Sequence, residues 1–240
     1  MRRNPTSYDV VHVVVPAHNE QALLRDCLRS LRTATDQLAE ERPHVRVRLT
    51  VVADRCSDDT EPVARAWGAD VVSVDVGSAG RARQEGVRRV EASAADIPAA
   101  RIWVANTDAD SLVPCHWLTR QLELAEAGNA LVLGTVGLDH RDIRPDVLRA
   151  WQEAHTLAEG HPHVHGANLG ISLAALREVG GFPPVEVGED VLLAQAVRRA
   201  GLPWCATATT QVTTSARLHS RVVGGFAGFL RGLHEAEVAQ

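Results

Sequence analysis

One segment narrows the possible folds more than any other. Val10-Val11-His12-Val13-Val14-Val15 is cut off sharply by Pro16-Ala17-His18-Asn19. A strand that is apolar on successive residues has no side to turn to water, so it belongs in a parallel sheet covered by helices on both faces. The following residues agree. Ala22, Leu23, Cys27, Leu28 and Leu31 recur at helical spacing, and further pairs of strand and helix patterns come after them. Strands are expected at Arg48 to Ala53, Asp70 to Val76, Ile102 to Ala105 and Ala130 to Val136. Helices are expected through Trp67, over Gly80 to Val90, and through Trp117, Leu118, Leu122 and Ala125. Such alternation specifies βαβ units on one mostly parallel, Rossmann-like sheet. Beyond residue 140 the pattern loosens. A helix over Pro145 to Glu159, a His- and Gly-rich stretch from His161 to Gly170, and a helix opened by Gly188-Glu189-Asp190 and running to Ala200 are expected there.

Composition excludes several classes. All 25 basic residues are Arg, so no Lys amine is present for a Schiff base or for a P-loop. A net charge of -5 leaves no basic footprint for nucleic acid. No apolar run is long enough to span a bilayer, and the first residues lack the apolar stretch of a signal peptide. Cys27, Cys56, Cys115 and Cys205 are far apart with no CxxC pair, which suits free thiols and a cytoplasmic protein. The segment Val222 to Leu233 is apolar but carries Gly224, Gly225, Gly228 and Gly232. It reads as a docking tail or flap, with a peripheral membrane contact left open. No linker or repeat divides the chain, so one compact domain is expected. Its nucleotide-type half spans about 10–110, its acceptor half 111–214, and its tail 215–240.

Ligands of open α/β sheets bind at the carboxyl ends of the strands. The polar residues of this chain collect there: His18 and Glu20, then Asp54, then Gly80 to Arg83, then Asp108 and Asp110. A lone Asp after a strand is ordinarily a helix cap, and Asp58 or Asp59 fits that role. Four polar loops on one rim point instead to a shared site. In Asn106-Thr107-Asp108-Ala109-Asp110, two carboxylates at i and i+2 can reach one hard cation and a ribose hydroxyl. This is how Mg²⁺ or Mn²⁺ is held beside a nucleoside diphosphate.

These motifs together resemble family 2 glycosyltransferases with the GT-A fold. The resemblance is carried by Val13-Val14-Val15-Pro16-Ala17-His18-Asn19-Glu20, Val51 to Thr60, Gly80-Arg81-Ala82-Arg83-Gln84-Glu85-Gly86 and Thr107-Asp108-Ala109-Asp110. Gly166-Ala167-Asn168, Gly180-Gly181-Phe182 and Gly188-Glu189-Asp190 continue it to about residue 215. It implies transfer of a sugar from a nucleoside diphosphate sugar, of UDP or GDP type, to a hydroxyl acceptor. By the same resemblance Pro16, Ala17, His18, Glu20, Asp54, Arg81, Arg83, Asp108, Ala109 and Asp110 hold the donor. Gly166, Ala167, Asn168 and Arg217 line the acceptor and donor pocket. Asp110 and His219 hold the divalent cation, Arg217 and Arg221 neutralise the leaving diphosphate, and Asp190 is the base of an inverting displacement, with Glu189 in support.

The second loop departs from the family's Asp-Asp-Gly-Ser-x-Asp at Ala53, Arg55 and Cys56, which alters the base pocket. The Gln-x-x-Arg-Trp motif of processive synthases is missing. Three other readings compete: a retaining metal-dependent transferase, a catalytically silent GT-A scaffold, and an S-adenosylmethionine methyltransferase suggested by Asp75 to Gly80. Donor, acceptor and oligomeric state, including a homodimer, are not fixed by the sequence. His161, His163 and His165 share one face if extended. They read as a loop beside the acceptor rather than as a zinc site, since no acid or Cys completes a ligand set. Trp103, Trp117 and Trp151 read as packing residues, with sugar stacking the other option at Trp117 and Trp151.

Overall fold

The computed structural model describes residues 7–139, 148, 149, 151, 153, 155 and 157–215. His219, Arg217, Arg221, the 216–240 tail and most of the helix expected over Pro145 to Glu159 lie outside them.

The valine run forms β1 (Val10–Ala17), and its alternation divides the core in two. Val11, Val13, Val15 and Ala17 face one cluster, with α1 (Leu24–Glu41) and α4 (Trp117–Glu126). Val10 and Val14 face the other, with α3 (Ala79–Ser93), α5 (Leu173–Glu178) and α6 (Glu189–Arg199). Both faces are covered, as a doubly apolar strand requires. Besides α2 (Thr60–Ala66), the remaining strands are β2 (Arg46–Asp54), β3 (Asp70–Val74), β4 (Ile102–Asn106), β5 (Ser111–Leu112), β6 (Leu131–Leu138), β7 (Leu169–Ser172) and β8 (Trp204–Thr214). One sheet holds all eight described strands in the order β3-β2-β1-β4-β7-β6-β8-β5. Pairing is parallel across β3-β2-β1-β4 and again between β6 and β8. The inserted β7 is antiparallel to both neighbours.

The carboxyl ends of β1, β2 and β4 therefore lie side by side. The register pairs Ala17 with Ala53 and Val14 with Asn106, which sets the three polar loops on one rim.

His12 is the one polar residue within the valine run. It is buried, and its Nε2 meets Thr50 Oγ1 at 2.7 Å. Burial, reinforced by Arg48, lowers its pKa to about 4. The folded protein therefore keeps His12 neutral, whereas the unfolded chain protonates it near pH 6.5. Protonation then favours unfolding. The stabilisation is complete above pH 6.5 and is lost as the pH falls towards 4, amounting to about 3 kcal/mol across that window. Urea unfolding at pH 7 and pH 4.5 checks this. His12→Gln keeps a donor for Thr50 but cannot titrate, so it should lose less stability than the wild type by about that amount. Equal losses would contradict the assignment.

Candidate active site

The loops after β1 and β2 are laced to each other before any ligand is considered. Asn19, in the left-handed region at φ 53°, accepts the Ser57 N–H on its Oδ1 at 2.8 Å. The Asp58 carboxylate accepts the backbone N–H of Gln21 (3.1 Å) and Thr60 (3.0 Å). It thus ties the β1 loop to the first residue of α2, whose N-cap is Asp59. His18 Nδ1 meets the Asp54 carbonyl oxygen. The Asp54 carboxylate is itself occupied: it accepts the N–H of Val76 at 2.9 Å and of Gly77 at 2.9 Å. The structure therefore turns Asp54 towards the backbone of the loop before α3. Arg81 is exposed at the start of α3, with Nη1 3.4 Å from the Val76 carbonyl.

Arg83 lies deeper than its motif implied. Its side chain is 3% exposed and joins two carboxylates, Glu189 through Nη1 and Asp108 through Nη2, the latter at 2.5 Å. This guanidinium thus lies beneath the rim and joins the β4 loop to the start of α6. Two glycines make the arrangement possible. A Cβ on Gly80 would stand 2.7 Å from Glu189 Cβ, and one on Gly166 would stand 2.5 Å from Arg83 Nη2. Only the absence of a side chain admits so close an approach.

Asp190, next to the buried Glu189, is only half-buried. Its Oδ2 accepts the Gly166 N–H at 2.7 Å. The resemblance placed both acids together, and the structure separates them: Glu189 points inward to Arg83, while Asp190 stays within reach of solvent. Both lie in the first turn of α6, where the helix dipole favours negative charge.

Asp108 and Asp110 are close enough to disturb each other. Burial, with Asp110 and Glu189 adding to it, raises the Asp108 pKa to about 6 against the opposing pull of Arg83. Its side chain is still 37% exposed, so solvent reaches a carboxylate that protein otherwise surrounds. Asp110 is half-buried, and its main-chain oxygen accepts the Ser215 N–H at 3.2 Å. Three carboxylates thus act on the guanidinium of Arg83, Asp108 and Glu189 by contact and Asp190 through space, while Asp110 acts on Asp108. The surplus of negative charge, with oxygen donors on a turn, fits a hard divalent cation.

Other residues named from sequence support the site from within. Asn168 is buried with its amide fully engaged. Nδ2 donates to the carbonyls of Thr135 (2.8 Å) and Thr210 (2.6 Å), and Oδ1 accepts Trp117 Nε1–H at 2.9 Å. It fastens β6, β8 and α4 to the segment holding Gly166 and Ala167 and does not face a ligand. Trp103, Trp117 and Trp151 are all fully buried, which settles them as packing residues. Pro16 is half-buried, and Ala17, Ala109 and Ala167 are buried. Sequence reasoning missed Gln84, whose Oε1 accepts the Phe182 N–H at 2.8 Å and so holds the Gly180-Gly181-Phe182 turn against α3.

Among the described residues, no helix is long and apolar enough to cross a membrane. No curated protein matches the chain in sequence. Solved structures do match in shape. A mannosyltransferase from Pyrobaculum calidifontis, in complex with GDP-Man and Mn²⁺, aligns with a TM-score of 0.64 at 20% identity, over 99% of this chain and 64% of its own. Residues 1–349 of S. aureus TarS align at 0.62 and 15% identity, over 87% and 61%. Glucosyl-3-phosphoglycerate synthase from M. tuberculosis, in complex with Mn²⁺, UDP and phosphoglyceric acid, aligns at 0.55 and 23% identity, over 96% and 78%. The chain thus spans under two thirds of the length of the first two. These likenesses establish the GT-A fold, a single compact α/β domain. The sequence profile of glycosyl transferase family 2 matches residues 12–179, leaving the methyltransferase reading without support; the chain belongs to glycosyl transferase family 2.

Proposed function

We propose that the protein transfers a glycosyl group from a nucleoside diphosphate sugar to a hydroxyl acceptor, inverting the anomeric centre in a single displacement. The observation that carries this reading is the pairing of roles around Arg83. The same buried guanidinium fixes Asp108, on the donor side, and Glu189, which precedes Asp190 in α6. A donor-binding acid and a candidate base are thereby held in one rigid frame, as preorganised catalysis requires.

In the proposed reaction Asp190 accepts the proton of the acceptor hydroxyl as its oxygen bonds to the anomeric carbon. The bond from that carbon to the diphosphate oxygen breaks in the same step, and the nucleoside diphosphate leaves with the electron pair. The Gly166 N–H holds Oδ2 of Asp190 and the Val191 N–H holds Oδ1, so both oxygens are oriented and each keeps a second lone pair with which to meet the acceptor. In this reading Asp108 meets the ribose, and Asp110 would hold Mn²⁺ or Mg²⁺. When bound, that ion neutralises the departing diphosphate as a Lewis acid, a task no Lys is present to share. The Mn²⁺ and nucleotide complexes of the structural neighbours support this choice of donor and cation. His18, Glu20 and Arg81 complete the donor side. His219 and Arg217, by resemblance, complete the cation and phosphate contacts.

Calorimetry with UDP and GDP tests the donor side. One of the two nucleotides should bind at least about tenfold more tightly with Mn²⁺ than without it, a coupling of about 1.4 kcal/mol. Asp110→Ala should abolish that difference. Equal affinity with and without metal in both proteins would overturn the reading.

A further inference from the structure

A second cluster of ligating side chains shares no residue with the acidic one. His155, His163 and His165 each place one ring nitrogen within 4.8 Å of the other two. The rings of His155 and His163 stack at 4.7 Å, with His165 6.1 Å and 6.0 Å from them respectively. Sequence alternation brought only part of this together. His165 is extended, at φ −136° and ψ 122°, so His163 and His165 fall on one side of the chain. The third ring, His155, comes from a segment eight residues earlier, which spacing did not reveal.

We propose that His155, His163 and His165 form a site for a divalent transition metal of the Zn²⁺ class, separate from the cation site at Asp110. Two features specify that ligand. First, three imidazole nitrogens are the donors that Zn²⁺ prefers, whereas Mg²⁺ and Mn²⁺ prefer the carboxylates of the other site. Second, His155 Nδ1 lies 3.1 Å from the Trp151 carbonyl oxygen. A carbonyl only accepts, so Nδ1 carries the hydrogen and Nε2 is the nitrogen with the lone pair. This outer hydrogen bond is the kind that orients metal-binding histidines. The buried Trp151 indole stacks on the same ring and holds its plane.

His161 adds an independent sign. It is buried, stands 6.0 Å from His163 in the same stack, and neither of its ring nitrogens has a hydrogen-bond partner among the described residues. Three protein ligands leave a fourth position for water. The ion would clamp His155 to the segment that runs through His165 into Gly166, whose N–H holds Asp190. The proposal needs no assumption about the sugar donor.

The test uses the full chain titrated with Zn²⁺ in excess Mg²⁺, which occupies the acidic site, and with Co²⁺ as a spectroscopic substitute. One equivalent of Zn²⁺ should bind, and Co²⁺ should give the intense visible bands of tetrahedral nitrogen coordination. Asp110→Asn should leave both unchanged. His163→Ala should weaken Zn²⁺ binding at least about 100-fold, beyond what loss of an outer hydrogen bond costs. His163→Gln serves as a second variant, with circular dichroism confirming that both remain folded. Zn²⁺ binding that vanishes in Asp110→Asn but survives in His163→Ala would overturn the proposal. So would the absence of saturable binding in excess Mg²⁺.

Discussion

Asp190→Asn should retain nucleotide binding while turnover falls on the order of 10²–10⁴-fold, the usual worth of a positioned base. The substitution is nearly isosteric, and its side-chain oxygen can still accept the Gly166 N–H that Oδ2 accepts now. It removes the ability to take a proton, at the cost of the acceptor that Oδ1 offers the Val191 N–H. Glu189→Gln is the informative contrast. Glu189 is buried against Arg83, so its loss should act through stability and through the position of its neighbours. Steady-state kinetics with calorimetry of the nucleotide separate the two. If Asp190→Asn turned over within a few-fold of the wild type, Asp190 would lose the role of base.

Arg83→Met should destabilise the fold by about 3–5 kcal/mol, because removing one partner leaves a buried carboxylate uncompensated. Most of that cost falls on Glu189, which is 8% exposed, since the 37% exposure of Asp108 lets water solvate it. Arg83→Lys should recover little. The two terminal nitrogens of the guanidinium reach different carboxylates, and a single ammonium cannot span both. Adding Glu189→Gln to Arg83→Met should restore part of the loss, a non-additivity expected of groups in direct contact. Urea unfolding of the four proteins reads these differences. A midpoint for Arg83→Met equal to that of the wild type would contradict the arrangement.

The first half of the fold was legible because its strands announce themselves. β1, β2 and β4 carry β-branched or apolar runs that stop at turn residues, and the helices between them keep a clear period. In the second half β6 was legible at Ala130 to Val136, but β7 and β8 were hidden for identifiable reasons. β8 reads Trp-Cys-Ala-Thr-Ala-Thr-Thr-Gln-Val-Thr-Thr, threonine-rich with little apolar alternation, and its place is set by pairing with β6 and β5. β7 has only four residues, and α5 follows it directly after Ser172. Both are fixed by tertiary neighbours rather than by local preference.

The rim of polar loops could be read because each loop follows a strand. The roles within it could not. Arg83 and Glu189 are 106 residues apart, and no local pattern shows that an arginine in a surface-like motif will be buried. Asn168 carries the same lesson, its three partners lying on three different elements. The glycines were the available signal. Gly80 and Gly166 each leave room for one member of the Arg83–Glu189 pair, so glycines in loops that meet a site mark where side chains from elsewhere must enter.

The central claim is inversion by a base at Asp190, and the configuration of the product tests it most directly. With a donor chosen by the calorimetry and an acceptor found by screening, NMR of the anomeric centre reports the outcome. A donor linked α to its diphosphate should yield a β-linked product in the wild type. A product that keeps the donor's α configuration would contradict the account.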